Sequence, residues 1–381
     1  MSLTVCLVPT GTLSYPEGGG GGHLWAYLNW ALGFQAAGCR VIWLEYLTTD
    51  PSPNTLEANW RRLAQRLGEA GLDTTVALTS APGVRLPGRL DEAWLDLDAA
   101  AEADLLVNFL YALGPAAVQR FKRSALIDID PGLLQGWMTR GELDVAAHDI
   151  HFTIGERVGA TALAGQRAAV EWHHTAPPVA LDAWSVRPAA PDAPYTTVSH
   201  WWDDKNWISW DGGLCANDKR TAFLEYRELP RRTAVPLELA LFLSPSDEDE
   251  KQSLEQHGWR IRLANEVSAG PREYSAYIGA SRGEFSCAKP GYVRLENAWI
   301  SDRTLCYLAS GKPAVVQYTG PSRYLPEAEG ALRFRSLEEA ARRLEQSERD
   351  YHAHGRAARA LAEEFFDARR VAAGILERTL A

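Results

Sequence analysis

The chain has few cysteines and no pattern among them. Cys6, Cys39, Cys215, Cys287 and Cys306 form an odd set without a C-x-x-C pair. That suits neither a disulfide framework nor a structural zinc site, so they read as reduced packing residues. No apolar stretch reaches membrane-spanning length, and Met1 to Thr10 lacks the basic start and long apolar run of a secretion signal. A cytoplasmic protein without a membrane span is the expectation. Basic charge is in deficit: 39 Lys and Arg stand against 49 Asp and Glu, a formal net charge of −10. Such a surface repels a phosphate backbone, so general nucleic-acid binding is not expected. No repeat appears at solenoid periods, and the only low-complexity piece is one run of glycines. Oligomeric state is left open.

The 381 residues, 46% of them hydrophobic, are enough for two ordinary cores. Leu3 to Val8 is a short apolar run stopped by Pro9 and Gly11, as a buried strand is. Leu24, Tyr27, Leu28, Ala31 and Gln35 then follow helical spacing up to Gly38, and Arg40 to Glu45 reads as a second strand. Strand, glycine loop, helix and strand make a parallel crossover unit. Apolar runs at Asp104–Phe109, Ala125–Ile129 and Ile150–Ile154 complete a first sheet. The proline-rich stretch from Ala176 to Pro194 is the natural linker. Beyond it, Tyr195–Ser199, Leu237–Leu243, Trp259–Leu263, Gly283–Cys287 and Pro313–Gln317 are strands of a second parallel sheet. Ser336 and Glu339 form a capping box that opens a later helix. The expectation is an α/β chain of two Rossmann-like lobes. Residues 1–185 form the first and 190–354 the second, and 355–381 pack back on the first.

The strongest local signal is Trp299-Ile-Ser-Asp-Arg-Thr-Leu-Cys-Tyr-Leu-Ala-Ser-Gly-Lys-Pro-Ala-Val-Val316. Ser301 is placed to cap a helix, Gly311 to end it and Pro313 to open the next strand. A helix start carrying Ser301, Asp302, Arg303 and Thr304 suits an anion, because unpaired N–H groups, the helix dipole and a guanidinium all favour negative charge. The plain alternative is a capped helix with a surface salt bridge.

Tyr307 to Val316 resembles the donor-lobe signature of GT-B glycosyltransferases, a helix followed by small-x-Gly-x-Pro-Val-Val and a strand. More broadly, Ser281 to Lys289 and on through Gly320 resembles the C-terminal half of CgeB-like, spore-maturation-type bacterial glycosyltransferases. The resemblance covers about the last hundred residues. It implies a metal-independent enzyme that moves a sugar, a hexose first, from a nucleotide diphosphate sugar to an acceptor hydroxyl or amine. The nucleotide sugar, a UDP-sugar before others, is co-substrate and no further cofactor is implied. It also implies cations against the diphosphate at Lys289, after the Gly283–Cys287 strand, and at Lys219. Many members carry a ribose-binding glutamate where this chain has Cys306. Asp302, one turn earlier, lies on nearly the same helix face and is placed to substitute.

The second constellation is Tyr15-Pro-Glu-Gly-Gly-Gly-Gly-Gly-His-Leu-Trp25. Glycines between a strand and a helix let backbone approach a ligand, so Gly21 and Gly22 are read as donor-binding. His23 opens the helix, facing a cleft between lobes. There a neutral imidazole takes an acceptor proton, or else merely caps and packs. A carboxylate is expected to orient it, with Asp128, Asp130 and Glu156 as candidates, Asp130 and Glu156 foremost. Each has a structural alternative, Asp130 as a turn residue and Glu156 as a helix cap. Asp128-Ile-Asp130 has the letters of a metal-binding D-x-D but falls in the wrong lobe, so no metal ligands are assigned. Four tryptophans, Trp201, Trp202, Trp207 and Trp210, crowd one polar loop where ring stacking is conceivable.

Three rival readings stay open. A nicotinamide-dependent oxidoreductase would use the glycine loop and Glu45 at the second strand's end, although His23 occupies the last glycine place of G-x-G-x-x-G. A catalytically silent nucleotide-sugar-binding protein would account for Cys306. An epimerase on the same twin-lobe fold is a further alternative. Donor sugar, base, acceptor and stereochemistry are not written in the sequence.

Overall fold

The computed structural model describes residues 2–15, 19–50, 52–86, 95–158, 170–202, 207–210, 213–327 and 329–381. The chain divides into two compact units, 1–180 with 367–381, and 181–366.

The first unit alternates strands and helices: β1 (Thr4–Val8), α1 (Gly21–Ala36), β2 (Arg40–Leu47), α2 (Pro53–Glu69), β3 (Thr74–Ser80), α3 (Leu97–Ala100), β4 (Leu105–Asn108), α4 (Pro115–Val118), β5 (Ser124–Asp128), α5 (Leu133–Thr139), β6 (Ile150–Thr153) and β7 (Trp172–His174). They form a seven-stranded sheet in the order β3-β2-β1-β4-β5-β6-β7, every pairing parallel. Strands covered on both faces have to be apolar throughout, and Val5 to Val8, Leu105 to Val107 and Ala125 to Ile127 are fully enclosed.

The second unit contains β8 (Tyr195–His200), a hairpin of β9 (Trp207–Trp210) and β10 (Gly213–Ala216), α6 (Lys219–Leu224), β11 (Leu237–Phe242), α7 (Glu248–Gln256), β12 (Arg260–Leu263), α8 (Ala264–Val267) and α9 (Pro271–Ala280). It continues with β13 (Gly283–Ser286), α10 (Pro290–Leu295), α11 (Asp302–Ala309), β14 (Ala314–Gln317), β15 (Ala331–Phe334), α12 (Leu337–Arg349) and α13 (Tyr351–Phe365). Its six-stranded sheet runs β12-β11-β8-β13-β14-β15, again all parallel. Trp201, Phe223, Tyr226, Phe285 and Phe334 fill one face of it.

The last helix, α14 (Ala368–Leu380), returns to the first unit and lies along α1. Helix α1 is buried on most of its surface, Leu24, Leu28, Ala31 and Phe34 included, because it has the sheet on one side and α14 on the other. The two helices approach so closely that a Cβ at Gly33 would lie 2.5 Å from the Ala368 carbonyl oxygen. Helix α13 belongs to the second unit, so the chain crosses back at Asp367 and not at the 355 position assigned from sequence. Among the described residues no helix is long and apolar enough to cross a membrane.

Candidate functional site

Each sheet reverses its strand order once, and the reversal fixes where a ligand can enter. In the second unit it falls between β8 and β13. The connections leaving the carboxyl ends of those strands run to opposite faces and part there, which opens a crevice. A partly open hollow lies to one side of this point, over the carboxyl ends of β13 and β14. Its wall comes from Ser286 and Cys287 at the end of β13, Ser301 and Thr304 at the start of α11, Gln317 at the end of β14, and Trp299. Gln317 ties the two strand ends together, accepting from Ala288 N at 3.0 Å and donating to the Tyr226 hydroxyl at 3.3 Å.

Lys219 touches two residues of this wall, Cys287 and Trp299. Asp218 caps its helix by accepting from Thr221 N at 2.7 Å, and Asn217 accepts from Gly291 N at 2.8 Å. The run Asn217-Asp218-Lys219 thereby joins the start of α6 to the start of α10, whose N-cap position is Lys289. The Lys219 ammonium donates to the Cys287 carbonyl and stands 5.5 Å from the Trp299 ring centre. Trp299 is stacked on Tyr292, with centroids 4.2 Å apart and planes within 7°. Burial first, then the positive charge of Arg303 and less of Lys289, push the Lys219 pKa from 10.5 down to about 7. Near neutral pH this amine is therefore only partly charged, and an arriving anion would restore its proton.

The helix start differs from the sequence reading in two respects. Arg303 was assigned to a phosphate, yet its guanidinium turns inward and the residue is only 8% exposed. Nε donates to Glu284 at 2.8 Å, Nη1 to the Val198 carbonyl at 2.9 Å, and Nη2 to Ser286 Oγ. Glu284 sits in the middle of the sheet and is fully buried, so it requires a cation, and α11 supplies Arg303 as its direct partner. Ser301 holds the N-cap position but its hydroxyl makes no capping bond. The Asp302 carboxyl accepts from its own amide and that of Arg303 instead, while burial raises its pKa. Asp302 and Cys306 do share a helix face, and Cys306 Sγ contacts the Asp302 carbonyl at 3.3 Å. That face is turned to Tyr274 of α9, and neither residue is among those lining the hollow. Ser301 and Thr304 do line it.

In the first unit His23 lies in the first turn of α1, after Gly20 at φ 85°, with Gly21 and Gly22 in the same turn. Its Nε2 is 2.6 Å from the Thr10 carbonyl, and its ring packs between Tyr15 at 4.8 Å and Tyr27 at 5.3 Å. A carbonyl only accepts, so Nε2 carries the hydrogen and Nδ1 is the basic nitrogen. Pro16, Glu17 and Gly18 of the glycine loop lie outside the described residues.

Asp130 follows β5, and β4 stands between β1 and β5, so the two loops begin about 10 Å apart at ordinary strand spacing. The Tyr111 hydroxyl donates toward Asp128 and Asp130, at 3.3 Å from each, and accepts from Asp130 N at 3.2 Å. Asp128 is buried and takes further bonds from Gln135 and Thr153, both at 2.8 Å. Burial raises its pKa to about 6. Gly155 packs against Pro131, which brings the loops of Asp130 and Glu156 together. Among the described residues no group of three or more His, Cys, Asp or Glu is arranged to hold a metal ion.

Glu45 answers the oxidoreductase alternative. It is 1% exposed and accepts from the Thr12 hydroxyl, from Leu13 N at 3.1 Å and from Trp43 Nε1 at 2.8 Å. A carboxylate enclosed in this way braces the loop after β1 and has no face for a ribose. Of the tryptophan cluster, Trp201 enters the core while Trp202 is 46% exposed, held by a 2.7 Å bond to Asp247 with the Arg220 guanidinium over its ring. The side chains of Trp207 and Trp210 lie outside the described residues.

Sequence reasoning did not single out Trp299, Gln317 or Asn217 as site residues. Gln317 closes the signature run, but nothing in its local pattern shows that its amide spans two strand ends.

No protein-family model and no curated protein sequence matches this chain. Solved structures do. Anabaena HepE in complex with UDP-glucose superposes with a TM-score of 0.62 at 13% identity, over 99% of both chains. Sucrose-phosphate synthase from Thermosynechococcus elongatus gives 0.59 at 13% identity, over 99% of this chain and 98% of that one. AviGT4, a glycosyltransferase involved in avilamycin A biosynthesis, gives 0.57 at 14%, over 99% and 96%. At such identities the likeness gives the fold, two parallel-sheet α/β lobes as in GT-B glycosyltransferases.

Proposed function

We propose that the chain is a glycosyltransferase that takes its sugar from a nucleotide diphosphate sugar, a UDP-sugar first among them. The observation that carries this reading is the hollow at the carboxyl edge of the second sheet, with Lys219 bonded to the carbonyl of its wall residue Cys287 and Lys289 close enough to act on Lys219. A half-buried, half-discharged lysine beside further cations is poorly satisfied alone and well satisfied by an anion. HepE, which shares the fold, holds UDP-glucose, and the GT-B and CgeB-type resemblance of residues 281–320 agrees in kind.

In this reading the diphosphate lies against Lys219, Lys289 and the Ser301–Thr304 turn. These groups neutralise the charge that builds on the leaving nucleoside diphosphate as the bond to the anomeric carbon breaks. The lysines supply the positive charge, so we propose a reaction independent of divalent metal. His23 of the first unit is proposed as the base that takes the proton of an acceptor hydroxyl, through Nδ1. Asp130 and Glu156 are proposed to line the acceptor pocket, and a hexose transferred in the cytoplasm is the corresponding biological setting.

The test is direct. Purified protein titrated with UDP-glucose should bind it in the micromolar to millimolar range. With a panel of hydroxyl acceptors it should release UDP at a rate unchanged by EDTA. Loss of activity on chelation, restored by Mg²⁺ or Mn²⁺, would remove the metal-independent part. Absence of binding to UDP- and GDP-sugars alike would remove the donor reading.

A further inference from the structure

Arg303 stands one layer behind the hollow. Its sequence neighbours Ser301 and Thr304 and its hydrogen-bond partner Ser286 all face the hollow, while the guanidinium is enclosed against Glu284 and the Val198 carbonyl. Glu284 is fully buried, with Oε1 on Arg303 and Oε2 without a hydrogen-bond partner. One guanidinium and one half-engaged carboxylate therefore share a place largely closed to water, where charge is poorly screened. A short path links them to the rim. Arg303 Nη2 bonds Ser286 Oγ, the Ser286 hydroxyl donates to the Cys287 carbonyl at 3.3 Å, and the same carbonyl accepts from Lys219.

Resting on the nucleotide-sugar reading, we infer that Arg303 is a positioning residue that does not touch the ligand. Clamped by Glu284 behind the wall, it fixes the start of α11 and sets the charge on Lys219, and so the pH range over which a nucleoside diphosphate is held. Among the described residues, the groups that act on Lys219 are Arg303 from α11, Glu284 from β13, Cys287 just after that strand, and Lys289 at the start of α10. Those that act with Glu284 are Arg303, Asp302 and Tyr307 from α11 and Lys219 from α6.

The sign follows from linkage. UDP-glucose carries a diphosphate diester whose charge is constant across neutral pH, so a pH-dependent affinity reports the protein. With the Lys219 pKa lowered to about 7 in the free protein and raised once an anion is bound, affinity is level below pH 7. Above that point it falls by up to about tenfold per pH unit. Neutralising Arg303 removes a positive neighbour, so Lys219 keeps its proton longer and the break moves up, by about one pH unit. Neutralising Glu284 leaves the Arg303 charge uncompensated, and the break moves down by a similar amount.

The experiment is calorimetric titration of UDP-glucose from about pH 6 to about pH 9, across the linkage range. It compares the wild type with Arg303→Gln, Arg303→Lys and Glu284→Gln, each first shown to have the wild-type circular dichroism spectrum. The inference expects opposite displacements of the break in Arg303→Gln and Glu284→Gln. In Arg303→Lys the break should stay in place while affinity drops. Because the two neutralised variants move the break in opposite directions, either one that folds is decisive when set beside Arg303→Lys. An Arg303→Gln protein that weakens equally at every pH overturns the inference and makes Arg303 a direct ligand contact or a purely structural one. A wild type that binds no UDP-glucose at any pH overturns the donor reading itself, a result distinguishable from an unmoved break.

Discussion

His23 shows how one hydrogen bond decides a chemical role. With Nε2 committed to the Thr10 carbonyl at 2.6 Å, the ring is held in one tautomer and one orientation by backbone, the task that sequence reasoning had given to a carboxylate. Under the proposed function, His23→Ala should lower kcat by roughly 10²- to 10⁴-fold, the range of a lost general base. Affinity for UDP-glucose should stay within about twofold, since the donor is assigned to the second unit. Steady-state turnover with parallel calorimetry checks this, and a loss confined to donor affinity would make His23 a donor ligand. Residue roles were the least legible part of the sequence, and Arg303 shows why. The pattern Ser-Asp-Arg-Thr at a helix start describes a surface, yet the direction of the guanidinium depends on Glu284, 19 residues away and buried in a strand. Trp201 and Trp202 make the same point, since adjacent rings in one polar stretch go to the core and to solvent.

Elements were read more surely, because their signals are local. Helix α11 begins after Ser301 and its following strand begins after Pro313, as the capping and proline positions required. Ser336 accepts from Glu339 N at 3.2 Å at the start of α12, while the Glu339 carboxylate reaches back to Arg335 N. What went unread were β3, β7, β15 and the β9–β10 hairpin. The first three stand at sheet edges and, like the hairpin strands, are short or polar, so neither a long apolar run nor a clean alternation marks them. The loop before α11 was equally silent, although its backbone is the most constrained near the hollow. Glu296 and Ala298 have φ of 46° and 59°, a region that suits glycine. Gly320, at φ 120°, runs so close that a Cβ would meet the Glu296 carbonyl oxygen at 2.3 Å. This approach seats the Ala298 amide on the Thr319 carbonyl at 2.8 Å, and Thr319 and Trp299 are both part of the wall. Gly320→Ala combines a forbidden backbone angle with a clash, so it should cost roughly 2 to 4 kcal/mol of stability. UDP-glucose affinity should fall with it. Urea unfolding monitored by circular dichroism measures the first effect, and a change below about 0.5 kcal/mol, typical of an uninvolved surface site, would show that the loops can part.

At the scale of the whole chain, the same strand order occurs twice, two strands running outward from the first on one side and the later strands, four in one sheet and three in the other, on its other side. This repetition was legible as two crossover patterns separated by a proline-rich linker, and it survives at 13% identity to the solved relatives. Parallel sheets need only apolar runs, short loops and right-handed connections, not particular residues. The return of the chain was harder to place, since the helices from 337 to 380 follow one another with little to say which sheet each covers. Helix α14 decides it by fit. Ala368, Ala372 and Ile375 are buried, and Ala368 lies where only Gly33 of α1 admits it. A chain ending at Phe366 would therefore uncover one side of α1, the helix that carries His23, and leave the candidate donor hollow complete, because every residue lining it falls within 181–366. We expect such a truncation to lose the cooperative unfolding transition of the first unit, with hydrogen exchange in α1 accelerated by at least about 10²-fold. UDP-glucose affinity should change by no more than about threefold. If affinity disappears along with α1 protection, the donor is not held by the second unit alone, and the assignment of Lys219 and its neighbours to the diphosphate must be withdrawn.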